Sequence, residues 1–245
     1  MRFNVVTIFP EQLTLALNYG VIGKAMEDSK LFVKYYDPRS HADNKYGSID
    51  DKPYGGGPGM VMQAQPILQS IDDARGSNKE IPVIFLTPQG RTYNQEMAHE
   101  LSRLDEIIIV SSRYEGLDQR AINQTENHQE ISIGDYILSG GETACSVVID
   151  SVARLLPGVL GDDESVIEES FSDGLLEYPH YTRPTEVNRE EVPEVLLSGN
   201  HQKIIKWRRD QSIKKTYLNR PDLINKSKLS DEENKLLDDL ENERE

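Results

Sequence analysis

A chain of 245 residues with 37% hydrophobic and 28% charged side chains reads as a soluble globular protein of one large or two small domains; no apolar run approaches the roughly 18 residues of a membrane span. Its single cysteine, Cys145, excludes an intrachain disulfide and a multi-cysteine zinc site, and points to the reducing cytoplasm. A net charge of −15 opposes a nucleic-acid partner when taken whole, but the charge is unevenly spread. Met1 to Val6 is too quickly interrupted to be a secretory signal. Phe3 to Phe9 instead reads as a first strand, followed by Leu31 to Tyr36, Val83 to Leu86, Ile107 to Ser111 and Ile131 to Ile133, all rich in β-branched residues. Helical spacing fills the intervals. Pro10-Glu11 opens a helix with Leu13, Leu17, Val21 and Ile22 on one face; Pro66 to Ala74, Asn94 to Leu104 and Glu142 to Leu156 follow, the last stopped by Pro157-Gly158. This alternation predicts an α/β domain with a mostly parallel sheet over residues 1–160.

Composition then changes. Gly161 to Glu177 holds seven acidic residues and no basic one, and reads as a linker, 161–177. The remainder, 178–245, reads as a smaller helical domain. Asn200 to Arg220 carries seven basic residues against Asp210 alone, whereas Asp231 to Glu245 carries eight acidic residues against two basic ones.

The densest glycine cluster is Pro53-Tyr54-Gly55-Gly56-Gly57-Pro58-Gly59-Met60. No Gly-Lys-Ser/Thr follows it, so it is not a phosphate-binding P-loop, and no strand–GxGxxG–helix context surrounds it. A flexible surface turn has this composition too; Tyr54 and the two prolines make it less like a linker and more like a loop able to close over a substrate. Three further segments follow apolar strands, where a parallel sheet places its ligand site: Leu86 to Arg91, Ser111 to Gly116 and Ser132 to Glu142. Each alone is ordinary loop chemistry; three together point to a shared pocket.

Pro53 to Met60, Arg113-Tyr-Glu-Gly116, Ser132 to Glu142, Asp150-Ser-Val-Ala-Arg154, Pro157 to Gly161, Pro179-His-Tyr-Thr-Arg-Pro184 and Leu196 to His201 together resemble the bacterial tRNA (guanine-N1)-methyltransferases, in order and over nearly the whole chain. The resemblance implies a trefoil-knotted SPOUT domain, a helical C-terminal domain and a homodimer with its active site at the subunit interface. It implies methyl transfer from S-adenosyl-L-methionine to N1 of guanosine 37 in tRNA. The cofactor residues it implies are Leu86, Thr87, Pro88, Ser112, Tyr114, Glu115, Ile133, Gly134, Tyr136, Leu138, Gly140 and Gly141, with Arg154 and the acidic residue before Ser170-Phe171 supplied by the other chain. Ser112 stands where the family usually has glycine. Glu169 stands where its proposed general base is aspartate, one methylene shorter, and Glu168 is the neighbouring carboxylate.

The chemistry assigns roles. Guanine N1 carries a proton that a carboxylate within hydrogen-bond reach can remove, which suits Glu169. Charge then builds toward O6, where the Arg154 guanidinium is a suitable partner. Considered alone, these two would read as a charge in an acidic linker and a helix-surface arginine. The sulfonium is already activated, so the bond exchange needs no metal, and a Mg2+ requirement is not readable from the sequence. On the substrate side stand Tyr54, Gly55, Gly56, Gly57 and Gly59, which would hold a flipped-out guanosine, then His180, and the basic residues Lys203, Arg209, Lys214 and Lys215 facing the tRNA backbone. Asp50 and Asp51 adjoin the glycine loop; Trp207 and Cys145 read as core, and His180 and His201 equally as structural hydrogen-bonding residues. The competing readings are a SPOUT methyltransferase with another RNA target, a non-catalytic RNA-binding relative and, more distantly, a small-molecule kinase or NTPase, which the missing P-loop lysine disfavours.

Overall fold

The computed structural model describes residues 1–161 and 169–242. The chain divides into two compact units, Met1–Gly161 and Asp162–Glu245. Much of the acidic 161–177 stretch, including Glu168, lies outside the described residues.

The first unit is a five-stranded parallel sheet. In chain order its elements are β1 (Arg2–Val6), α1 (Pro10–Leu17), α2 (Gly20–Glu27), β2 (Phe32–Tyr36), the two-residue β3 (Asp50–Asp51) and β4 (Val61–Met62), and α3 (Ala64–Arg75). After these come β5 (Val83–Thr92), α4 (Gln95–Ser102), β6 (Glu106–Ser111), α5 (Gln119–Asn123), β7 (His128–Ser132) and α6 (Gly141–Ala153). The sheet order is β2-β1-β6-β5-β7, with β3 and β4 forming a separate antiparallel pair. Central β6 explains the architecture. Its Ile107-Ile108-Ile109-Val110 run is fully buried, as a parallel strand covered on both faces demands. Ile107 and Ile109 pack with Leu13, Ile22, Met97 and Val148 of α1, α2, α4 and α6, while Ile108 and Val110 pack with Ile67 and Ile122 of α3 and α5. Each such isoleucine contributes roughly 1.5–3 kcal/mol by leaving water.

Two local departures from the predicted elements have clear causes. The first helix is two, because Gly20 takes φ +64, a left-handed conformation that closes a turn after Asn18; Val21, expected on the face of Leu13 and Leu17, is exposed instead. Strand β5 does not end at Leu86. Leu86 and Arg91 both oppose Ile131 of β7, so residues 87–90 bulge out and the chain then resumes pairing. Gly90 permits this return, since a Cβ there would overlap the Glu130 and Ile131 backbone.

The second unit is mainly helical: α7 (Glu194–Leu197), α8 (His201–Asn219) and α9 (Asp231–Asn242), with a hairpin of β8 (Glu186–Val187) and β9 (Glu190–Glu191). Asn188 and Arg189 at φ +53 and +69 make the tight turn whose twist suits a two-residue hairpin. Asn200 caps α8, its Oδ1 accepting from the Lys203 N–H at 3.2 Å. No helix among the described residues is long and apolar enough to cross a membrane.

Candidate active site

A cleft of about 430 Å³ opens at the carboxyl ends of β5, β6 and β7, the position where an open parallel sheet places its ligand. Three loops wall it. The β5 bulge contributes Leu86, Thr87 and Pro88; the turn after β6 contributes Ser112, Tyr114 and Glu115; the β7–α6 loop contributes Ile133, Gly134, Tyr136, Leu138, Gly140 and Gly141. Every residue expected on the cofactor side thus lines one cavity. Gln89 of the Leu86–Arg91 segment lines it as well, together with Leu117, Gln119 and Ile122, which were not expected. The last three follow the Arg113–Gly116 turn directly, and a strand–turn–helix reading of 106–123 would have brought them in.

Backbone geometry holds the walls together. The Gly141 N–H donates to the Ser112 carbonyl at 2.8 Å. A Cβ on Gly141 would stand 2.8 Å from the Ser112 nitrogen and 2.9 Å from the Ser111 Cα, so backbone meets backbone where no side chain fits. Ser112 directs its hydroxyl to the Leu86 carbonyl at 3.3 Å, which bridges the β6 and β5 loops. Tyr136 donates through its hydroxyl to the Ile133 carbonyl at 3.0 Å. Tyr114 sits at φ +57, a conformation that costs a non-glycine residue about 1 kcal/mol or more and recurs at ligand sites. Apolar side chains such as Leu86, Ile133 and Leu138 stand beside the polar Thr87, Ser112 and Glu115, a mixed lining that suits a ligand with an apolar and a polar part.

The glycine cluster meets this cleft only at its end. Glu115 donates its N–H to the Met60 carbonyl at 2.9 Å, and Gly59 lies so close to the Glu115 side chain that a Cβ would overlap it. Gly55, Gly56 and Gly57 have open space around them and need glycine for φ values of +86, +78 and +121 alone. Tyr54 is 99% exposed.

Arg154 does not line the cleft. It follows α6, donates its N–H to the Asp150 carbonyl at 3.1 Å, and borders a separate groove with Leu17, Tyr19, Gly20, Ser146, Asp150 and Leu160. Leu15 on α1, Tyr19 on the turn into α2, Val21 on α2 and Val147 on α6 are exposed. Cys145 is buried in the α6 core, and burial pushes its thiol up to about 12, so it is chemically quiet.

In the second unit Glu169 is half-buried and begins a folded segment. Its carbonyl accepts from the Ser172 N–H at 3.2 Å, and the Phe171 N–H donates to the Leu175 carbonyl at 2.8 Å. The Glu177 N–H donates to Ser170 Oγ, and the Leu176 N–H donates to Thr216 Oγ1, both at 2.9 Å. Within residues 169–177, which the sequence reading placed in the linker, these bonds are mostly internal, and Leu176 ties the segment to α8 through Thr216. His180 pairs through Nε2 with Glu177 Oε1 at 2.7 Å and stacks 4.8 Å from Tyr178; His201 is exposed at the start of α8.

The basic run on α8 is partly neutralised inside the unit. Lys206 pairs with Glu232, Arg209 with Asp173 and Glu233, and Arg220 with Asp222. Lys203, Lys214 and Lys215 are exposed and carry no ion pair among the described residues. Trp207 is half-buried with its ring 6.2 Å from Tyr181. No cluster of three or more His, Cys, Asp or Glu suited to a metal ion occurs among the described residues.

The family model described as tRNA (Guanine-1)-methyltransferase TrmD matches residues 1–226. A tRNA (guanine-N(1)-)-methyltransferase of Buchnera aphidicola subsp. Schizaphis graminum is 50% identical over 238 residues, covering 97% of this chain and 90% of that one. The enzyme of the same name from Sulfurihydrogenibium sp. is 50% identical over 237 residues, with 97% and 92% covered. The one from Moorella thermoacetica is 48% identical over 242 residues, with 98% and 96% covered. Matched from its first strand into the turns after α8, and at half of all positions, the chain belongs to the TrmD tRNA (guanine-1)-methyltransferase family.

Proposed function

We propose that the protein methylates N1 of guanosine 37 in tRNA, using S-adenosylmethionine held in the β5–β6–β7 cleft. The observation that carries this is the convergence of three sequence-distant loops, with every expected cofactor residue, on one cavity. The residues present fit the cofactor: apolar side chains such as Leu86, Ile133 and Leu138 for a purine, beside the polar side chains of Thr87, Ser112 and Glu115. When bound, it supplies a sulfonium-activated methyl group. Glu169 takes the N1 proton, and Arg154 stabilises the charge that develops on O6.

The protein acts in the cytoplasm as a homodimer. Arg154 borders a different groove from the cleft, and exposed apolar residues surround that groove, which suits a subunit face. A trefoil knot through the three loops would account for their close backbone contacts at Gly90 and Gly141. The helical C-terminal unit presents Lys203, Lys214 and Lys215 to the tRNA backbone. Charge reversal of Lys214 and Lys215 together is expected to weaken tRNA binding and to lower the slope of log affinity against log salt by about 1–2. Filter binding across a salt series measures this, and an unchanged slope removes the patch from the interface.

The activity itself is tested by incubating unmodified tRNA with the protein and S-adenosylmethionine, then analysing nucleosides by mass spectrometry. 1-Methylguanosine at position 37, absent when that position is A, is the expected product. A methyl group on a ribose or on another base would replace this reading with a different RNA target.

A further inference from the structure

We propose that Arg113 and Glu142 form a positioning pair that holds two walls of the cleft in cofactor-binding geometry. Glu142, in the first turn of α6, is 0% exposed, yet it is a carboxylate. Both its oxygens are used: Oε1 accepts from Thr7 Oγ1 at 2.8 Å, and Oε2 accepts from Arg113 Nε at 2.7 Å. The Arg113 guanidinium extends further. It donates through Nη1 to the Ser139 carbonyl at 3.2 Å and through Nη2 to Gln12 Oε1 at 2.7 Å, and it covers the Phe9 ring at 4.5 Å.

Neither Arg113 nor Glu142 lines the cleft, but their chain neighbours do: Ser112 and Tyr114 flank Arg113, and Gly140-Gly141 precede Glu142. A Cβ on Gly140 would overlap the Arg113 guanidinium, so the arginine lies against the loop as well as bonding it at Ser139. Satisfying a buried carboxylate needs a fixed donor, and the rigid guanidinium fork here bonds that carboxylate, a loop carbonyl and a side-chain amide at once. A buried ion pair is weak evidence for stability in itself, since well-packed apolar residues often do as well. What this pair supplies is register: it sets the β7–α6 loop relative to the end of β6 through charge-assisted bonds, and loose support is a common cause of a present but weak site.

This inference rests on the cleft being the S-adenosylmethionine site. The test titrates that cofactor into the full-length protein by calorimetry for the unmodified protein, Arg113→Met, Arg113→Lys and Glu142→Gln, with tRNA affinity measured separately without cofactor. Arg113→Met and Glu142→Gln are expected to weaken cofactor binding by about tenfold or more, and to raise its KM in step while kcat at saturation stays within about threefold. Arg113→Lys, which keeps a bond to Glu142 but cannot also reach Ser139 and Gln12, falls between. An unaltered circular-dichroism spectrum with a cooperative melting transition shows that the variants are folded. Should Glu142→Gln fail to fold, Gln12→Ala and Arg113→Lys, which alter only the outer arms, carry the test. A lowered melting temperature with unaltered cofactor affinity overturns the positioning role. Failure of the unmodified protein to bind the cofactor overturns the reading of the cleft instead.

Discussion

Glu169→Gln is expected to lower the single-turnover rate of methyl transfer by about 10²–10⁴-fold, the range a positioned general base supplies, while leaving cofactor binding unchanged. Glutamine keeps the shape and the hydrogen-bonding carbonyl but cannot take the N1 proton. The side chain belongs to an ordered segment whose backbone is fixed by the Ser172, Leu175 and Thr216 contacts, so the substitution leaves the main chain where it is. Glutamate reaches one methylene farther than the family's aspartate, and Glu169→Asp therefore separates reach from basicity: a fall of about tenfold or less, with the same pH dependence, is expected. Rapid-quench assays with limiting tRNA measure both. A near-normal rate for Glu169→Gln would end the assignment and turn attention to Glu168, which lies outside the described residues.

The parts of this molecule legible in sequence were those set by local pattern. Ile107 to Ser111 reads as a strand from its β-branched residues, and β6 is one, buried on both faces. The apolar stripe of α6 is equally plain. Less legible were features that depend on distant partners. The resumption of β5 at Arg91 needs β7 beside it, and nothing in Thr87-Pro88-Gln89-Gly90 announces that the chain will return to pair. Charge counting overstated the basic face of α8, because Lys206 and Arg209 are answered by Glu232 and Glu233 of α9, whose acidic run was read as a separate feature. Glu142 was read only as the end of the Ser132–Glu142 segment and the start of a helix; its pairing depends on Thr7 and Arg113, which lie 135 and 29 residues away. The three segments that wall the cleft came through as loops after apolar strands, since glycines and turn residues mark loops whatever packs against them; which residues in each line it came from the family resemblance.

The proposed homodimer makes the second large prediction. Arg154→Ala is expected to cut the transfer rate by about 10²–10³-fold through loss of charge stabilisation at O6. Gly141→Val is expected to abolish cofactor binding, because a side chain there meets the Ser112 nitrogen at 2.8 Å. In the proposed homodimer each variant alone is therefore expected to lose nearly all activity, for different reasons. If Arg154 serves the cleft of the opposite subunit, a heterodimer of the two variants regains one complete site: the intact cleft of the Arg154→Ala chain meets the intact arginine of the Gly141→Val chain. Heterodimers isolated through two different affinity tags should then show about half the activity of the unmodified dimer. If Arg154 instead serves its own cleft, each chain of that heterodimer carries a lesion in its own site and no activity returns. A heterodimer as inactive as its parents thus rejects a shared site, and recovery requires it, because no intrachain arrangement can join an intact cleft to an intact arginine in this pair.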